Sequence, residues 1–158
     1  MIKIVFFDID GTLIEFRKTE MRPKVIEALN QLKAKGIKIF IATGRPSFVI
    51  PKFEGVEFDG YLSFNGQYCL GDNKVIYENP LKHGDVIKMI DNADKMNHPV
   101  QIAGSERMLA NYSEPKLEEY FVVASQSVNV SDEFDQTLFV TTLLSNYYSF
   151  YPSIVTNY

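Results

Sequence analysis

The sequence predicts an α/β protein: a partial Rossmann-like core with a parallel sheet, followed by a second α/β unit. Three observations carry this reading. An apolar run from Ile2 to Phe7 stops at two aspartates, and a stretch of helical period runs from Pro23 to Gly36. A second apolar run, Ile37 to Ala42, then stops at Thr43-Gly44-Arg45. Strand, helix and parallel strand in that order pack as a right-handed βαβ unit.

Each element has its own warrant. Ile2 to Phe7 is a continuous run of β-branched and aromatic residues, the pattern of a parallel strand covered on both faces. Pro23 suits the first helical position, Val25, Ala28, Leu29 and Leu32 make one apolar face, and Gly36 supplies the C-terminal cap. Ile37 to Ala42 repeats the buried-strand pattern, and Tyr61 to Phe64 is a third short strand leading into Asn65-Gly66. From Gln67 to Tyr77 two strand-like runs flank Gly71-Asp72-Asn73, a turn composition that predicts a β-hairpin.

The character of the sequence changes near Pro80, which divides the chain into residues 1–80 and 81–158. In the second part Asp85 to Met96 reads as helix, Val100 to Ala103 and Met108 to Tyr112 as strands, and Pro115 to Val123 as another helix. Gln136 to Tyr158 holds six aromatic residues and no charged one. Such a segment needs a partner surface: either it packs as strands of the second unit, or the natural chain continues past it. Self-association through it is a further expectation.

Composition narrows the function classes. The chain is 46% hydrophobic and 23% charged over 158 residues, enough to bury a core and ordinary for a folded, water-soluble protein. A net charge of -4 gives no basic footprint for a nucleic acid or an anionic membrane. No stretch approaches the ~20 apolar residues of a membrane span, and Asp8 and Asp10 interrupt the N-terminal run before it becomes a signal-peptide core. The single Cys69 forms no internal disulfide and reads as a half-buried strand residue, so a cytoplasmic setting is expected.

The chemistry is concentrated in Phe7-Asp8-Ile9-Asp10-Gly11-Thr12-Leu13. Two carboxylates separated by one residue, at the carboxyl end of a buried parallel strand, lie where α/β proteins place ligands. Their mutual repulsion invites a hard, oxygen-preferring cation such as Mg²⁺ held by Asp8 and Asp10. Asp8 could then attack phosphorus to form an aspartyl-phosphate, with Asp10 giving a proton to the leaving alkoxide and later activating water. Gly11 lets backbone approach a phosphate, and Thr12 adds a hydroxyl. The bland alternative is a polar turn with two exposed aspartates.

This string resembles the first motif of the haloacid dehalogenase superfamily, and Ile41-Ala42-Thr43-Gly44-Arg45 resembles its second. The resemblance implies that Thr43 binds the transferred phosphoryl group and that Gly44 permits the turn beneath it. Arg45 would contact phosphate, or else cap a helix or face solvent. Asn65-Gly66 and the early hairpin resemble the Cof-like branch, in which an α/β cap is inserted after the second motif. Asn65 and Gly66 would then sit at the mouth of the site, although Asn-Gly also suits a plain left-handed turn.

The resemblance further implies a third-motif lysine and fourth-motif aspartates, and this sequence shows no convincing copy of either. Gly84-Asp85 with Asp91 opens a helix rather than following a strand, so Asp85 reads as an N-cap. Gly71-Asp72 reads as a hairpin turn, Lys116 lies within the presumed cap, and His83 and His98 are isolated. The expectation is a Mg²⁺-dependent phosphomonoesterase acting on a small phosphorylated metabolite, inactive or impaired as this chain because it is truncated before those motifs. The alternative is a non-catalytic phosphate- or Mg²⁺-binding module. A receiver-like signalling domain fits less well, since its acidic residues usually come from different strands.

Overall fold

The computed structural model describes residues 2–110 apart from 17 and 105, together with residue 115 and the backbone of residues 138–143. The chain divides into two compact units, Met1–Pro80 and Leu81–Tyr158.

The first unit is a five-stranded sheet with one long helix. Its elements are β1 (Ile4–Phe7), α1 (Pro23–Ala34), β2 (Lys38–Ala42), β3 (Gly60–Ser63), β4 (Tyr68–Gly71) and β5 (Lys74–Glu78), and the strands lie in sequence order across the sheet. β1, β2 and β3 are parallel, with Val5 opposite Ile39 and Phe40 opposite Gly60; β4 and β5 continue antiparallel. The strand–helix–strand order expected from the sequence is the one adopted.

Local chemistry fixes the ends of these elements. Pro23 opens α1, with Arg22 at the N-cap in extended conformation. At the other end Gly36 takes φ +74°, its N–H donates to Lys33 O at 2.8 Å, and Ile37 N–H donates to Leu32 O at 3.1 Å. That pair of bonds satisfies two carbonyls that the helix end would otherwise orphan. Between β4 and β5 the turn is Asp72-Asn73, at φ 50° and 58°, the two left-handed residues that a tight hairpin requires.

α1 packs Leu29, with Val25, Ile26 and Leu32, onto the sheet face that carries Ile39 and Ile41. The opposite face departs from expectation. Ile4 is 45% exposed and Phe6 52%, although the run from Ile2 to Phe7 reads as covered on both sides. Among the described residues of this unit α1 is the one α-helix, and it can cover only one side.

In the second unit α2 (His83–Lys95) precedes a three-stranded antiparallel sheet of β6 (Val100–Gly104), β7 (Met108–Ala110) and β8 (Leu138–Leu143), with β6 in the middle. Val86 and Ala93 of α2 cluster with Val100 and Ile102 of β6. The expected N-cap role of Asp85 is corrected: α2 begins at His83, and Lys82 occupies the N-cap without a side-chain bond. Asp85 lies inside the first turn, where a carboxylate complements the helix dipole, and pairs with Lys88 at 3.8 Å. Of the expected Pro115–Val123 helix only Pro115 is described, as helical; of the segment 136–158 only β8 is. No helix among the described residues is long and apolar enough to cross a membrane.

Candidate active site

The acidic loop is built around a buried isoleucine. Ile9 is wholly buried while Asp8 is exposed and Asp10 partly so, so the residue between the carboxylates anchors the loop in the core and leaves both acids outward. Ile9 O accepts the N–H groups of Thr12, Leu13 and Ile14 at 3.3, 3.0 and 2.9 Å, winding the chain into a single tight turn directly after β1. Leu13 and Ile14 join the core. Gly11 sits at φ +80°, and a Cβ there would lie 2.9 Å from the Phe16 ring. The glycine is thus needed for the left-handed backbone of the turn, a reason beyond the phosphate approach expected from sequence, while the Phe16 ring that lies over it is 70% exposed. Thr12 is exposed on the same loop.

The second loop leaves β2 and meets the first. Thr43 is buried, its N–H bonded to Leu62 O at 2.9 Å, and its Oγ1 accepts Arg45 N–H at 3.1 Å. Accepting that bond leaves the hydroxyl proton available to donate outward. The Arg45 side chain reaches back 35 residues to Asp10: Nε donates to Oδ2 at 2.9 Å and Nη2 to Oδ1 at 2.6 Å. This is a bidentate, charge-assisted clasp, with the Arg45 side chain only 15% exposed. Of the alternatives weighed from sequence, capping a helix and facing solvent give way to this bond, since the guanidinium binds the acid loop.

A third loop closes on the second. Phe64 N–H donates to Arg45 O and Asn65 N–H to Thr43 O, each at 3.1 Å. These bonds bring the Asn65 carboxamide over Gly44, where an added Cβ would lie 3.1 Å from Oδ1. Asn65 and Gly66 take φ 55° and 88°, the left-handed turn that Asn-Gly favours. Beneath them the Cys69 thiol, buried in β4, donates to Gly66 O at 3.3 Å, and burial pushes its pKa up.

Asp10, Thr43, Gly44, Arg45, Asn65 and Gly66 therefore converge at the carboxyl ends of three adjacent parallel strands, while Asp8, Gly11 and Thr12 lie on the loop that carries Asp10. The donor set suits a hard cation, being carboxylate oxygen alone. Its number is small: among the described residues no group of three or more His, Cys, Asp or Glu gathers to hold a metal, and Arg45 engages both Asp10 oxygens. Sequence reasoning missed the Asp10–Arg45 bond and the part played by Phe64.

Comparison with known proteins fits this geometry. The family model described as haloacid dehalogenase-like hydrolase matches residues 5–149. YkrA of Bacillus subtilis, named as a candidate phosphatase, is 33% identical over 113 residues, covering 71% of this chain and 44% of that protein. A protein of Geobacillus kaustophilus solved by crystallography is 29% identical with a TM-score of 0.80, covering 98% of this chain and 62% of that one. The sugar phosphatase BT4131, described as a subclass IIB member of the superfamily, is 30% identical with a TM-score of 0.69, over 82% of this chain and 52% of its own. The chain spans less than half the length of the curated relatives it matches. With a family match that covers most of its length, this chain belongs to the haloacid dehalogenase-like hydrolases.

Proposed function

We propose that this chain carries the nucleophile-bearing part of a phosphomonoester hydrolase that acts on a small phosphorylated metabolite through an aspartyl-phosphate on Asp8. The observation that carries the reading is the Asp10–Arg45 clasp, which joins the acid loop to the Thr43 loop at the ligand-binding end of the parallel sheet. Asp8 attacks phosphorus; Asp10 in its protonated form, with one Arg45 bond given up to the proton, passes that proton to the leaving alkoxide, and then, ionised and clasped again by Arg45, takes one from the attacking water. Thr43 Oγ and the Asn65 carboxamide donate to phosphoryl oxygens. A Mg²⁺ held by Asp8 and Asp10 would offset the charge that the phosphoryl group adds to the pair. Residues 81–158 would act as the cap that excludes water and selects the substrate, and the naming of BT4131 as a sugar phosphatase supports a small polar substrate. The charge and composition suit a cytoplasmic protein.

The chain by itself is expected to turn over slowly. Arg45 contributes one positive charge to the acidic pair, but two carboxylates make an open metal site, and phosphoryl transfer depends chiefly on electrostatic stabilisation and positioning. A non-catalytic module that binds phosphate or Mg²⁺ is the second reading, favoured by the small donor set. Incubation with an aryl phosphate and Mg²⁺ decides between them. Slow turnover that Asp8→Asn lowers at least ~100-fold supports covalent catalysis, since loss of a nucleophile costs several powers of ten. Turnover untouched by Asp8→Asn would sink the mechanism, and phosphate binding without turnover would favour the module. In parallel, millimolar Mg²⁺ should raise the melting temperature of the wild type and not of Asp10→Ala; a flat titration in both would remove the metal site.

A further inference from the structure

One side chain near the site has no place in that mechanism and an unusual backbone. Phe64 has φ 51°, in the left-handed region, where a bulky residue is a real outlier. It is 1% exposed, and it begins a run of three positive-φ residues with Asn65 and Gly66. Asn and Gly enter this region readily, whereas Phe does so only where its surroundings leave no other choice.

The surroundings fix this turn from two sides. On one side the N–H groups of Phe64 and Asn65 bind the carbonyls of Arg45 and Thr43. On the other, Ser63 Oγ donates to Tyr68 O at 2.9 Å and Cys69 Sγ donates to Gly66 O. Gln67 N–H also closes the turn on Phe64 O at 3.2 Å, and the buried ring adds a further anchor. A phenylalanine that served only to fill the core could sit on ordinary strand backbone; this one is strained at the position immediately before the carboxamide that lies over Gly44.

We propose that Phe64 is a positioning residue: its buried ring locks the left-handed turn so that the Asn65 carboxamide stays over Gly44, beside the Thr43 hydroxyl, where a phosphoryl oxygen binds. The inference rests on the reading of Thr43 and Asn65 as phosphoryl contacts. It adds that the affinity of that subsite is set one residue upstream, by a side chain that touches no ligand. Because the ring acts through Asn65, its effect on binding must vanish when the carboxamide is gone.

The test uses the whole chain and inorganic phosphate, followed through the backbone amide resonances of residues 43–45. Asn65→Gly keeps the left-handed turn and deletes the carboxamide, so it should weaken phosphate about tenfold, the scale of one hydrogen bond to a charged group. Phe64→Leu should weaken phosphate by a similar factor in the wild type and by less than about twofold in the Asn65→Gly background, the signature of coupled residues. Phe64→Tyr, which keeps the ring, should restore wild-type affinity. Should Phe64→Leu fail to fold, Phe64→Met, a flexible side chain that fills more of the buried volume, replaces it, with the same loss expected alone and the same disappearance beside Asn65→Gly. A lower melting temperature with unchanged phosphate affinity, or losses that multiply in the double variant, would overturn the positioning role and leave the phosphate site standing. Phosphate that moves none of the amides of residues 43–45 would instead overturn the site itself.

Discussion

The two faces of the first sheet are built from similarly apolar sequence and end in different states. On one, Ile39 and Ile41 are buried under α1 with Leu29. On the other, Ile4, Phe6 and Ile76 are 45%, 52% and 63% exposed, beside the Phe40 ring. Strand periodicity reports which residues are suited to burial; it does not say whether a covering element is at hand. The two faces should therefore answer differently to substitution.

The largest effect belongs to the covered face. Ile39 is wholly buried in the cluster with Leu29 and Val56, and Ile39→Ala should cost about 2–5 kcal/mol in chemical denaturation, through lost burial and the cavity left behind. A loss below about 1 kcal/mol would mean that α1 packs loosely and that the faces are alike after all.

A smaller loss, about 1–3 kcal/mol by analogy with other overpacked sites, is expected from Gly60→Ala. This residue faces the exposed side, yet a Cβ there would lie 2.2 Å from Leu70 O and 2.5 Å from the Phe40 ring. The exposed face is thus closely packed within its own layer although nothing described covers it. If the variant were neutral, the β3–β4 ladder would have to yield by more than an ordinary strand pair does, and urea denaturation would show it.

Gly36→Ala isolates backbone strain from packing. Nothing lies within 4 Å of an added Cβ, so the cost comes from φ +74° alone and should be about 1–2 kcal/mol. It also measures how much of the α1 side depends on the closing turn of its helix. An unchanged melting temperature would show that the C-terminal cap contributes nothing to holding α1 on the sheet.

These contrasts show which parts of the molecule were legible in the sequence. Gly36, the Asp72-Asn73 turn and the acid loop after β1 follow local rules, in which a few adjacent residues determine the backbone. The Asp10–Arg45 clasp spans 35 residues, and no local rule pairs them; only the parallel register of β1 and β2 does. Phe64 was invisible for the opposite reason: the Asn-Gly signal correctly marked a left-handed turn, but nothing in it says that the preceding aromatic is drawn in as well. Asp85 was misplaced because Asp suits both the N-cap and the first turn, and the start of α2 is set two residues earlier. The roles proposed for Asp8, Asp10, Thr43 and Asn65 rest on where their loops meet.

The smallest effect on stability, and the sharpest probe of the contrast, comes from Phe6→Ser. The Phe6 ring lies 5.6 Å from that of Phe40 at an interplanar angle of 49°, a tilted pair worth about 0.5–1.5 kcal/mol beyond its buried area. Half of the residue is already exposed, so little transfer energy is at stake, and serine keeps an extended backbone without strain. The total should be near 1 kcal/mol, well below Ile39→Ala. Exposed apolar surface, by contrast, should fall clearly, because Phe6 is a large exposed ring of the patch, with Ile4 two residues away on the same strand. A dye that fluoresces on apolar surface reads that second quantity directly: its signal should drop with Phe6→Ser and stay level with Lys38→Ser, a polar position on the same face. Should Phe6→Ser instead destabilise the fold as strongly as Ile39→Ala, with no change in dye binding, Phe6 would be a core residue and the two faces would be equivalent.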